Sequence, residues 1–407
     1  WHSLTCTHTL LSVGRATKMV LSDPFSGLIG GFIIGLAASI LLVFNGDIMG
    51  FSGIFTSSVL RQTKQGPNWK LVYLGSFLVT TQVMMFYPYI KVPDPEVQDY
   101  IPIASPIAHV LAGLFVGFGT KMGNGCTSGH GICGMARLSV RSFVAVITFM
   151  ITAAVTVYVI SPVSTFALYT SWLRRDAVPN PARILGYVIT AVFIVVAFIL
   201  MRYENKEHKD INNVQVNEDS LLVDDPTGNA AQDSQDQDIE QCKLIAAAVS
   251  GSVMSVGLAL SQMIAPSKIY GFLDLTGFTR GTWDPTLAFV MGGGVIISSL
   301  SYALIGYPNL LFIGKKDRAS AMQCPLALKN DGSFSVPSST TVDGKLIGGA
   351  AIFGIGWAMA GMCPGPALFL VGSSVPFVAF LWLPSYVFGA YVAQRSMGGT
   401  GRPASDS

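Results

Sequence analysis

Uncharged apolar runs alternate along this chain with short polar, glycine-rich or proline-rich breaks. Nine runs are long enough for a helix to cross about 30 Å of hydrocarbon: 25–44, 71–89, 103–120, 143–160, 184–201, 244–264, 286–305, 346–362 and 375–393. Four further segments, 46–60, 126–139, 266–278 and 363–373, follow runs one, three, six and eight and are too short or too glycine-rich to cross. Each opens on helix-starting or chain-breaking residues: Asn45-Gly46-Asp47, Cys126-Thr127-Ser128, Ala265-Pro266-Ser267 and Cys363-Pro364-Gly365. They predict half-helices that enter the membrane where protein or water covers their ends.

The expected fold class is therefore an all-α membrane protein with about nine transmembrane helices and four short re-entrant half-helices in two repeats. The second repeat starts five runs after the first, an odd number, so the repeats should be inverted. Inverted repeats built on broken helices place a binding site near the midplane. The expected layout is an N-terminal extension 1–24, a first membrane repeat 25–202, an acidic linker 203–243, a second repeat 244–395 and a tail 396–407.

Composition supports the membrane reading. The chain is 51% hydrophobic and 12% charged, with a mean hydropathy of +0.52, about half the charge of a soluble domain. A soluble enzyme is excluded. The net charge of +2 conceals an uneven spread. Residues 203–241 hold 11 of the 23 acidic residues against two lysines, a net −9, which leaves +11 elsewhere. That stretch reads as a disordered, solvated cytoplasmic linker. Placing the N-terminus outside and the C-terminus inside puts 17 basic residues on the cytoplasmic side and eight on the other, the orientation favoured by positive charge. Residues 1–18 lack a long apolar core and a clear secretory cleavage site.

One phrase occurs twice, and each copy ends at a thiol. Glycines stand nine and seven residues before Cys126 (Gly117, Gly119) and before Cys363 (Gly354, Gly356). A half-helix start follows each cysteine, where backbone N–H groups lack intrahelical partners and attract anions. Pro364 suits a first helical turn. The bland reading is that the cysteines are small buried hydrophobes and the glycines allow close helix packing. Two copies at matching spacing, both interrupting the membrane, favour function. The site expected from this pattern contains Cys126, Cys363, His130, Cys133, Gly125, Thr127, Ser128, Pro364 and Gly365. Cys126 and Cys133 flank His130, but their spacing matches no common zinc pattern and no second histidine is near, so no metal is expected. Arg137 and Arg141, four apart, read equally as anchors of topology or as functional charges.

The stretch Gly123-Asn124-Gly125-Cys126-Thr127-Ser128-Gly129-His130-Gly131-Ile132-Cys133-Gly134 closely resembles the signature of the YeeE/YedE sulphur-transport family. Gly356-Trp357-Ala358-Met359-Ala360-Gly361-Met362-Cys363-Pro364-Gly365-Pro366 and the region around Lys268–Asp274 and Trp283–Gly293 look like that family too. Some members occur as two small membrane proteins, each resembling one half, so the halves here look fused. The resemblance implies thiosulfate uptake, with substrate passed between thiols by S–H···S hydrogen bonds, and assigns those thiols to Cys126 and Cys363. The chemistry agrees, because thiosulfate pairs anionic oxygens with one soft terminal sulphur.

The leading expectation is a transporter of thiosulfate or a related sulphur anion in the plasma membrane. The competing class is a thiol- or sulfide-handling protein: a carrier of sulfide or persulfide, or a thiol oxidoreductase. A metal-ion channel is disfavoured by the lack of intramembrane carboxylate pairs. The expected partners are a small sulphur anion, the lipid bilayer and a soluble sulphur-transfer partner at the cytoplasmic face. No nucleic acid and no cofactor are expected.

Overall fold

The computed structural model of the protein describes residues 23–60, 69–86, 106–160, 226–305, 334–337, 339–373 and 378–397, with Val188 and Val375 as isolated positions. Every regular element among them is helical, apart from one bridge that pairs Asp47 with Ser335. In chain order the helices are α1 Asp23–Ile40, α2 Phe51–Val59, α3 Trp69–Phe86, α4 Pro106–Met122, α5 Val140–Ile160, α6 Pro226–Leu260, α7 Pro266–Leu273, α8 Thr286–Leu304, α9 Gly344–Ala360, α10 Pro364–Gly372 and α11 Leu383–Ser396. A π-helical segment, Thr127–Gly134, stands between α4 and α5, and π turns extend α1 through Asn45 and lead into α11. A single helical turn, Gly277–Arg280, sits before α8.

Helices thus stand at eight of the nine apolar runs; of the remaining run, 184–201, only Val188 is described. Five stretches are long and apolar enough to cross a membrane: Pro24–Asn45, Val140–Ile160, Ile239–Leu260, Thr286–Leu304 and Gly344–Gly372. The last of these is two helices, because the chain turns at Gly361, whose φ of 60° lies in the left-handed region that glycine tolerates best. The outward face of α5 carries Val140, Ile147, Ile151, Val155 and Val159, all more than half exposed. A continuous apolar stripe of that kind suits lipid rather than water.

The linker expectation needs one correction. Residues 226–241, read as disordered, are the N-terminal part of α6. The reason is local: after Pro226 at the helix start, Ala, Gln and Glu favour helix and adjoin an apolar run that is already helical. Residues 203–225 lie outside the described residues.

The packing has a two-fold pattern that the sequence shows only weakly. Helix α1 packs on α8 as α6 packs on α3, and α4 packs on α11 as α9 packs on α5. The remaining large contacts, α1 with α6 and α4 with α9, join counterpart helices directly. Exchanging the halves therefore exchanges the pairs. Short helices of nine, eight, eight and nine residues (α2, the π-helical segment, α7 and α10) occupy the four expected positions.

The repeated glycines find their explanation here. A Cβ on Gly117 would strike the backbone of Tyr386 in α11, and one on Gly354 would strike that of Phe149 in α5. A Cβ on Gly119 would meet Phe353 in α9, and one on Gly356 would lie 2.8 Å from the Val116 nitrogen in α4. Matching positions of the phrase thus make matching crossings, and the absent side chains bring backbones close enough to pack without a hydrophobic drive from water. Aromatic contacts fix the short helices: Phe51 of α2 meets Tyr73 and Phe77 edge-on at 6.1 and 5.2 Å, and Phe77 meets Phe369 of α10 at 6.3 Å.

Candidate functional site

The close α4–α9 crossing brings together the two half-helix starts that follow these helices. Cys126 precedes the π-helical segment with an extended backbone (φ −127°, ψ −168°), and Cys363 precedes α10 in nearly the same conformation (φ −113°, ψ 173°). An extended residue before a helix is the usual N-cap geometry. Both cysteines line one cavity of about 60 Å³, room for a few waters or one small anion. Thr127 Oγ1 lies 3.6 Å from Cys363 Sγ and donates to it. Residues 237 positions apart in sequence therefore face a common space.

The polar groups of the first start are held in order. Ser128 Oγ accepts from the Phe51 N–H at 3.1 Å and lies 3.2 Å from Cys126 Sγ. That contact ties the start of α2 to the thiol. The amides of Thr127, Ser128 and Gly129 belong to the first turn, where no intrahelical acceptor exists. The second start is poorer in donors, because Pro364 and Pro366 carry no N–H and only Gly365 contributes one. Gly365 also lines the cavity, and Pro364 is buried at the first position of α10.

Three other expected residues are engaged elsewhere. His130 makes 3.1 Å contacts through Nδ1 to Ser142 Oγ and through Nε2 to the Gly123 carbonyl. The carbonyl can only accept, so Nε2 carries the proton and Nδ1 accepts from the serine. Gly125 lies against that ring, where a Cβ would sit 2.6 Å from it. Cys133 Sγ donates to the Met49 carbonyl at 3.4 Å, joining the π-helical segment to the stretch before α2. None of the three lines the cavity. Cys126, Cys133, Cys242 and Cys363 are all free thiols. Among the described residues, no three His, Cys, Asp or Glu side chains cluster as metal ligands.

Several lining residues escaped sequence reasoning. Met254 of α6, Met263, Met291 of α8 and Trp357 of α9 share the wall with the two cysteines. The wall therefore presents five sulphur-bearing side chains. The indole Nε1 of Trp357 is buried without a hydrogen-bond partner among the described residues. Trp357 and Met291 fall within the family-like stretches, but nothing in the local pattern marks any of the four as lining a cavity. Two ion pairs lie in the α7–α8 region. Lys268 Nζ meets Asp284 Oδ2 at 3.0 Å, while Asp284 Oδ1 accepts from the Thr286 N–H that opens α8 at 2.9 Å. Arg280 meets Asp274 at 2.6 Å. Before α2, burial raises the carboxyl of Asp47 above its ordinary value, opposed by the charges of Lys70 and Lys243.

Residues 10–155 match the sequence model of a family described as sulphur transport, and residues 242–389 match that of a family of unknown function (DUF6691). A protein of Xylella fastidiosa (strain Temecula1), named a probable transporter, is 38% identical over 139 residues, 33% of this chain and 94% of that relative. A second probable transporter, from strain 9a5c, is 32% identical over 122 residues, 30% of this chain and 70% of the relative.

Proposed function

The chain belongs to the YeeE/YedE sulphur-transport family and is a multi-pass membrane transporter, and we propose that its cargo is thiosulfate, taken up through the cavity between Cys126 and Cys363. One observation carries the reading: two half-helix starts, from the two halves of the chain, bring a thiol each to the same small cavity.

The dianion's charge is met by first-turn amides and by the hydroxyls of Thr127 and Ser128, its soft sulphur by S–H donors. Trp357 offers a further buried N–H. A thiol is a weak donor, so each contact is modest and the substrate can leave as readily as it enters. The halves act as inverted repeats, 25–202 and 244–395, with the cavity near the midplane. The N-terminus is outside, the C-terminus is in the cytoplasm, and the membrane is the plasma membrane. A soluble sulphur-transfer partner receives the product on the inner side.

The apolar and methionine-rich wall also favours a second reading, carriage of sulfide, which costs less to desolvate than a dianion. Uptake into proteoliposomes separates the two. Thiosulfate should accumulate, with sulfide competing weakly and sulfate hardly at all. Sulfide uptake that thiosulfate does not inhibit would replace the first reading with the second.

A further inference from the structure

Two arginines follow the end of the π-helical segment remote from Cys126: Arg137 in the turn after it and Arg141 in the first turn of α5. Arg137 is nine-tenths buried, with 8% of its surface exposed, and its N–H bonds to the Cys133 carbonyl at 3.3 Å. Arg141 follows one turn later with its side chain 17% exposed. Their partners come from one strand of chain, residues 334–337 and 339–343, which precedes α9. Arg137 Nη1 donates to the Pro337 carbonyl at 3.0 Å, and Arg141 Nη1 to the Thr341 carbonyl at 2.6 Å. The strap is fastened at its other end by Ser335, whose N–H donates to the Gly46 carbonyl at 2.8 Å.

Among the described residues this arrangement leaves charge uncompensated. Among the described residues, Arg137 Nε is buried with no hydrogen-bond partner and no carboxylate pairs with Arg137. Arg141 reaches one carboxylate, the half-exposed Asp343, at 3.5 Å. A guanidinium carries five donors in a planar fork suited to oxyanions, and here neutral carbonyls occupy part of it. The negative end of the π-helical segment offsets a fraction of the charge at Arg137, while Arg141 stands at the positive end of α5. A cation that only set topology would keep its head in water. Burying it without a counter-charge is costly, and such residues mark ion paths.

The geometry points to an oxyanion-binding station at Arg137 and Arg141, part of whose donors the carbonyls of Pro337 and Thr341 engage in this structure. An arriving tetrahedral oxyanion takes the guanidinium donors, and the strap carbonyls give them up. Arg137 follows the far end of the π-helical segment that Cys126 opens, and Arg141 stands in the first turn of α5, so an ion leaving the thiols along that segment meets positive charge next. The station deepens the reading above and rests on that reading for the physiological anion alone.

Isothermal titration of the detergent-purified full-length protein tests it, with sulfate as the probe because sulfate has no soft sulphur for the thiols. Arg137→Gln should weaken sulfate binding by about tenfold or more, the loss of one charge-assisted contact. Arg137→Lys should recover much of that loss. Asp343→Asn should tighten sulfate binding about twofold, since it removes a competitor for Arg141 yet keeps a side chain able to cap α9. A purely structural role for the pair predicts no tightening. Sulfate binding that is absent in the parent, or equal in Arg137→Gln, overturns the station, as does failure of Asp343→Asn to tighten it. Thiosulfate uptake by proteoliposomes is measured in parallel. If uptake fails while sulfate binding follows Arg137, the cargo reading falls and the station stands.

Discussion

The two half-helix starts share a backbone geometry and differ in what they offer a ligand. Cys126 is followed by Thr127, Ser128 and Gly129, three residues with amides and two with hydroxyls. Cys363 is followed by Pro364, Gly365 and Pro366, which leave a single amide. One start is a polar cradle braced by Ser128 against α2; the other is a rigid thiol mount. A two-fold packing pattern therefore supports a site that is not chemically two-fold. On the proposed reading the first start recognises the anion's charge and the second supplies sulphur contact alone.

The largest effect should come from removing both thiols. Cys126→Ala/Cys363→Ala should reduce thiosulfate uptake by about 30-fold at normal membrane levels, from two lost S–H contacts at about 1 kcal/mol each. Near-parental uptake into proteoliposomes would break the comparison at its base, since neither start would then touch cargo.

Ser128→Ala sharpens it. The change leaves the Phe51 N–H without its acceptor and frees Cys126, so stability should fall by about 1–3 kcal/mol. The apparent affinity for thiosulfate should fall with it. Thermal unfolding in detergent, beside uptake kinetics, checks both.

The glycine crossings ask whether the halves are equivalent in packing. Gly119→Ala and Gly356→Ala should each cost about 1–3 kcal/mol by overpacking at the α4–α9 contact. Similar losses of melting temperature are expected, and a large disparity would show that the two-fold pattern does not extend to energetics.

The smallest effect is expected at Pro366→Ala, which adds one amide to the donor-poor start. Apparent affinity for thiosulfate should rise about twofold, within the net value of one hydrogen bond. A loss of affinity in uptake kinetics would mean that the ring shape of Pro366, not its missing N–H, is what the site uses.

Legibility differed between levels of the structure. The helices were readable because a span needs a long uncharged run and its breaks need Gly, Pro or capping residues, as at Gly361-Met362-Cys363-Pro364. The acidic stretch misled at 226–241, because charge and polarity do not forbid a helix that continues an apolar one. The duplicated cysteines pointed to a shared site, while the glycines, read as allowing close helix packing, could not say which helices they cross. His130 and Cys133 sit within the motif but bond to Ser142, Gly123 and Met49. A linear pattern carries no information about which way a side chain turns in a π-helical segment.

By itself the sequence determined a multi-pass helical membrane protein with two related halves, two interrupted helices ending in thiols, and membership of a sulphur-transport family. These follow from local length, hydropathy and motif. Only the tertiary structure decided that Cys126 and Cys363 face one cavity, that three methionines and Trp357 complete its wall, and that the strap before α9 covers Arg137. Most of those contacts join residues far apart in the chain, 237 positions for the two cysteines, and they depend on how closely the helices approach, which no local pattern records.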